Sequence, residues 1–98
     1  MSDTFYVNKG TDLTFSFNWP NGSGGNADLT GFTVSGYDVE YYLEPYLTLT
    51  LTNPSQGLIT GRIEWNEALP EGRYVYFRVR IKQGEEDVTT NRIWVQYD

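Results

Sequence analysis

Thirteen carboxylates, no imidazole and no thiol set the chemistry open to this chain. Paired Asp and Glu side chains can act as general acid and base. The nearest sets are Asp38 with Glu40, Glu64 with Glu67, and the run Glu85-Glu86-Asp87. A glycosidase needs two such groups facing each other across a cleft. A chain of 98 residues without large inserted loops leaves little room for one. These groups therefore read as solvated surface charges, and no enzymatic activity is expected. The Glu85–Asp87 run offers oxygen ligands but lacks the spacing of a calcium loop. Zinc, haem and thiol or imidazole nucleophiles have no ligands or attacking groups here. No cofactor and no metal site are expected.

Pro20 to Ala27 reads Pro-Asn-Gly-Ser-Gly-Gly-Asn-Ala. A glycine-rich loop can cradle a phosphate, but this one has no Walker lysine, no dinucleotide pattern and no following helix signal. It reads as a flexible connection.

The residues above background are aromatic and basic. Three Trp, eight Tyr and five Phe are many for 98 residues. Tyr, Trp and Arg dominate the energetics of protein–protein contacts. Tyr42, Tyr76 and Trp94, with Arg78, Arg80 and Arg92, are the candidates for one such surface. The alternative is a local cluster capped by arginine stems. The N-terminal segment Met1 to Lys9, with Phe5 and Tyr6, is a second candidate. As an edge strand it could pair with a neighbour.

Seven strands would have to carry these side chains. They are expected over Thr4–Lys9, Asp12–Trp19, Phe32–Leu43, Tyr46–Thr52, Leu58–Trp65, Arg73–Lys82 and Val88–Tyr97. The second strand alternates almost perfectly, with Leu13, Phe15, Phe17 and Trp19 on one face. A period of two with one apolar face marks a half-buried strand. In the third, Tyr37, Val39, Tyr41 and Leu43 share a face opposite Asp38, Glu40, Tyr42 and Glu44, with a bend or bulge expected at Gly36. In the sixth, Val75, Phe77, Val79 and Ile81 read as inward. A rival register turns Tyr74 inward as a tyrosine corner. Gln83 to Asp87 is a hairpin loop. No helix is expected, and the best helical candidate is Asn66 to Leu69, about a single turn.

Seven short strands with turn signals every 8–12 residues predict one immunoglobulin-like Greek-key β-sandwich over residues 1–98. The third, sixth and seventh strands would form one sheet. The fourth and fifth would join the first or second in the other. Acidic groups of the third strand would then lie beside arginines of the sixth, as cross-strand ion pairs. A net charge of −6 disfavours nucleic acid as a partner. The start Met1-Ser2-Asp3-Thr4 has neither a basic region nor an apolar run, so no signal peptide is expected, and no apolar segment is long enough to span a membrane. The absence of Cys favours synthesis in a reducing compartment.

Lys9 to Phe17, then Asp28-Leu29-Thr30-Gly31-Phe32, then Gly57 to Ile63, then Glu71-Gly72-Arg73-Tyr74 leading into Phe77 to Ile81, and last Asn91 to Val95 follow one another in a particular order and spacing. Together they resemble the opening strand, the segment after it, the last two hairpins and the closing strand of small immunoglobulin-like virion proteins of tailed bacteriophages. The resemblance spans roughly residues 5 to 97 and takes in baseplate and capsid decoration (cement) proteins. It implies synthesis in a bacterial cytoplasm, residence in the virion, many copies per particle, and capsid or tail proteins as partners. It implies no catalytic residue. A carbohydrate-binding module for host attachment is the alternative, since exposed Tyr and Trp can stack on sugar rings.

Overall fold

The computed structural model describes residues 4–97. They form an all-β sandwich of eight strands: β1 (Thr4–Val7), β2 (Leu13–Asn18), β3 (Thr33–Tyr37), β4 (Leu47–Asn53), β5 (Leu58–Ile63), β6 (Tyr74–Gln83), β7 (Glu86–Thr89) and β8 (Ile93–Tyr97). The larger sheet runs β1-β8-β6-β3, with β7 also on β6, and the smaller runs β2-β5-β4. β1 lies parallel to β8, and every other pairing is antiparallel. This is the Greek-key arrangement of an immunoglobulin-like domain, with the second strand joining the fourth and fifth.

The core is made by the alternation of these strands. On β6, Val75, Phe77, Val79 and Ile81 are buried, while Tyr74 is 46% exposed. The inward-tyrosine register is therefore excluded. From the smaller sheet come Phe15, Ile59 and Ile63, and from β8 Ile93, Val95 and Tyr97. The Phe15 ring bridges the layers, 5.5 Å from Phe5 and 5.6 Å from Phe77. Gly61 lies under that ring, and any Cβ there would overlap it.

Three expectations need correction. The third strand does not reach Leu43. It stops at Tyr37, because Asp38 takes a left-handed backbone (φ 52°). Helical turns follow, in which Leu43 and Glu44 donate to Glu40 O at 2.9 and 3.2 Å. In a turn of that pitch the period-two rule lapses: Leu43 is fully buried and Tyr41 is 71% exposed, although alternation would put both on one face. Second, the seventh strand is two. Thr90 to Arg92 stand opposite only Arg78 and Val79, since Thr89 pairs with Arg80 and Ile93 with Phe77. This bulge shifts the alternation by one. Outward residues are odd-numbered before it and even-numbered after it. Third, the helical turn is a 3-10 turn at Pro54–Gln56, closed by Gly57 in the left-handed region (φ 61°), whereas Asn66–Leu69 is a turn held by Leu69 N donating to Asn66 O.

Candidate protein-docking face

The outer face of the larger sheet collects most of the expected surface residues. β6 contributes Tyr74, Tyr76, Arg78 and Arg80, and β8 contributes Trp94. The parallel register sets Thr4 beside Trp94 and Tyr6 beside Gln96, which stands opposite Tyr74. The result is a row of rings. Tyr6 and Tyr74 lie 6.5 Å apart, Tyr74 and Trp94 6.4 Å, and Trp94 and Tyr76 5.2 Å. Each meets the next at 63° to 89°, the edge-to-face geometry that the ring quadrupole favours. The row ends under Arg92, whose guanidinium sits 4.0 Å from the Tyr76 centroid.

A basic patch continues from there. Tyr37, opposite Arg78 on β3, lies under the guanidinium groups of Arg78 and Arg80 at 5.8 and 5.4 Å. Each arginine is held by an acceptor. Arg92 Nε donates to Asp38 at 3.2 Å, Arg80 makes a two-point contact with Asp87, and Arg78 donates to Thr90 O and Thr89 Oγ1 at 2.7 and 2.9 Å. The expected ion pairing of β6 with acids of the third strand is thus corrected. Asp87 comes from β7, and Asp38 from just past the end of β3. The Arg80 guanidinium holds the Asp87 carboxyl below its ordinary value, and Asp87 in turn raises Arg80. Contact with Tyr6 raises the Tyr74 phenol.

Two expected residues stand elsewhere. Phe5 turns inward, against Phe15, and lines an apolar groove of about 480 Å³ between β1, β8 and β2. Tyr42 lies in the turns after Asp38, stacked at 4.1 Å on Tyr41 and under the Arg73 guanidinium at 5.3 Å. Met1 to Asp3 of the expected N-terminal segment lie outside the described residues. Tyr37, Asp87 and Thr89 complete the face, but only the end of β3 and the bulge before β8 bring them there.

Among the described residues no group of three or more Asp and Glu gathers as a metal would require. Two of the carboxylates that invite acid–base chemistry, Asp38 and Asp87, are engaged with arginines on this face.

No protein-family model matches the chain, and no curated protein does. Among solved structures it is similar to an endo-fucoidan hydrolase from glycoside hydrolase family 107, with a TM-score of 0.60 at 10% identity. The match covers 99% of this chain and 13% of the hydrolase chain, and at that identity it bears on the fold alone.

Proposed function

We propose that this chain is a non-catalytic binding module that docks onto other proteins through the outer face of its larger sheet. Its setting is a tailed-phage virion, as a decoration (cement) or accessory protein present in many copies on capsid or tail proteins. The observation that carries the docking reading is the continuous row Tyr6–Tyr74–Trp94–Tyr76–Arg92 on one sheet face. Its rings hold one another at fixed angles, so little side-chain entropy remains to be lost on binding. The resemblance of the segments above to small virion sandwiches supplies the setting.

The test uses purified protein and particles that lack it. Wild-type chain should bind such particles to saturation and raise their resistance to heat or chelator. Tyr76→Ala with Trp94→Ala should remove the binding while the domain stays folded. Particles that are equally robust with and without the chain would sink the cement role. A tail or baseplate position then remains, and labelling of intact particles would locate it.

A carbohydrate-binding module is the second reading, favoured by the sandwich shared with a chain named as a fucoidan hydrolase. The outer face counts against it, because a sugar ring stacks on a flat, open aromatic face and Arg92 covers Tyr76. Saturable Trp fluorescence changes with a host polysaccharide would favour this reading over protein docking.

A further inference from the structure

In a constant-type immunoglobulin sandwich the first strand lies beside the second, in the sheet that also holds the fourth and fifth. In this chain β1 pairs with β8 in the larger sheet, and β2 pairs with β5 alone. The place beside β2 is therefore an open sheet edge. The ladder decides which backbone groups it presents. Trp19 N donates to Gly57 O at 2.9 Å, continuing the β2–β5 register, and on the other side of β5 Glu64 N donates to Tyr46 O at 3.0 Å. Residues of an antiparallel ladder turn their N–H and C=O alternately to one neighbour and the other. Both bonds thus direct the odd-numbered residues of β5 toward β2, and the odd-numbered residues of β2 toward β5. Thr14, Ser16 and Asn18 turn their backbone groups to the open edge, where no strand among the described residues takes them.

Two further features distinguish this edge. β2 reads Leu-Thr-Phe-Ser-Phe-Asn, with no charge, proline or bulge to discourage pairing. The other edge of the same sheet, β4, has a register shift between Leu51 and Asn53, and the seam beside it holds Asp38 and Glu44. Burial at the β2 seam is also unfinished. Phe5, Phe17 and Trp19 pack against the core yet stay half-buried. With Ile93 they line the groove of about 480 Å³, and Ser16 of the open edge borders it.

We propose that the β2 edge accepts an extended segment of a partner protein, which runs antiparallel to β2 and adds a fourth strand to the smaller sheet. Its backbone would bond Thr14, Ser16 and Asn18. Its aliphatic side chains, at every second position, would enter the groove against Phe5, Phe17 and Ile93. Main-chain bonds supply affinity in such an addition, and the groove selects the alternating pattern. The groove also identifies the occupant. A second copy pairing through its own β2 would not fill it, because the inward Phe15 and Phe17 of that strand are packed against the core of their own domain. A helix has no backbone groups to spare for the edge, since its N–H and C=O bond within the helix. An extended segment brings both free backbone groups and uncommitted inward side chains. The edge is separate from the aromatic face of the larger sheet, and its failure would leave the docking reading standing.

The geometry sets a sharp test. Directly opposed residues of an antiparallel pair point to the same face. Ser16 points outward, so the partner residues that bond the edge carry outward side chains, and those whose side chains enter the groove turn their N–H groups away. The probe is the peptide acetyl-Lys-Thr-Val-Thr-Val-Thr-Val-Lys-amide, titrated into the full isotope-labelled chain while amide hydrogen exchange is followed by NMR. At saturation, exchange at Thr14, Ser16 and Asn18 should slow by about tenfold or more, with little change at Phe15 and Phe17, which β5 already holds. Methylating the Thr amide nitrogens of the peptide should abolish the effect, whereas methylating the Val amide nitrogens should preserve it. Replacing each Val by Ser should weaken binding by about tenfold or more. No protection by the parent peptide, the same behaviour from both methylation patterns, or shifts at Tyr76 and Trp94 without protection of β2 would each overturn the proposal. So would slow exchange at the three edge amides before peptide is added. Protection that rises with protein concentration would give the edge to a second copy, and protection independent of concentration would give it to another segment of this chain.

Discussion

The two sheets share one core and have opposite exteriors. Outside the smaller sheet stand Thr48, Thr50 and Thr52 of β4, Thr60 and Arg62 of β5, and Thr14 and Ser16 of β2. Across-strand pairs align Thr50 with Thr60 and Thr60 with Ser16, and Thr52 Oγ1 donates to Thr60 Oγ1 at 2.8 Å. Outside the larger sheet the equivalent positions hold Tyr, Trp and Arg. Thr and the aromatic residues are comparably good strand formers. The smaller sheet demonstrates that hydroxyl side chains suffice to finish a face of this sandwich. The aromatic row differs in kind from what finishes the other face, and that difference supports the proposal that the larger sheet carries the contact surface.

The largest expected effect falls on what the faces share. Phe77 is fully buried between the layers and touches the Phe15 ring. Phe77→Ala should cost about 3–5 kcal/mol in urea unfolding. Hydrogen exchange should rise in both sheets together. Acceleration confined to one sheet would mean that the layers unfold separately and that the comparison concerns two units instead of two faces.

Exchanging the chemistry of the faces is the sharper experiment. Tyr76→Thr with Trp94→Thr makes the larger sheet resemble the smaller. Loss of the aromatic pairs should lower stability by about 1–2 kcal/mol, while partner binding falls by more than about thirtyfold. Thr50→Ala, on the other face, should leave binding unchanged. A binding loss from Thr50→Ala comparable to that of the double variant would reverse the assignment.

Gly61→Ala probes the smaller sheet from inside. A methyl group there must displace the Phe15 ring, so a loss of about 1–3 kcal/mol is expected. Phe15→Leu in the same chain should restore part of it. Binding at the larger sheet should follow only the fraction folded.

The smallest effects distinguish the acid behaviour of the two exteriors. Asp12 is held below its ordinary value of 3.8 by the Trp65 backbone N–H and by Arg62, beside the smaller sheet, and Asp87 by Arg80 on the larger. A carboxylate depressed in the folded state contributes stability above its unfolded value, and that contribution disappears as pH falls through the folded one. The urea midpoint should therefore fall below about pH 4. Asp12→Asn and Asp87→Asn should each flatten part of that fall. Variants that lose stability in parallel with wild type over this range would show that neither clamp matters.

Much of this was legible in the chain. The alternation of β2, β4, β5 and β6 correctly placed Phe15, Ile59, Ile63, Val75, Phe77 and Val79 inside, because a strand's side chains must alternate. The outward assignment of Tyr76, Arg78, Arg80 and Trp94 followed from the same rule. Tyr42 was misplaced because Asp38 enters the left-handed region and ends the alternation, and nothing in the order of residues marks that step against the apolar pattern that continues through Leu43. Phe5 was placed among the surface candidates since a four-residue strand does not reveal which of its faces meets the other sheet.

By itself the sequence determined an all-β sandwich with a rich aromatic exterior, since period-two burial and turn chemistry are local and act along the chain. The tertiary structure alone decided which rings touch, which acids hold the arginines, and that the Tyr97 hydroxyl is buried without a partner among the described residues. Those outcomes depend on a bulge, a left-handed residue and the parallel pairing of the two chain ends, which join positions far apart in sequence through packing.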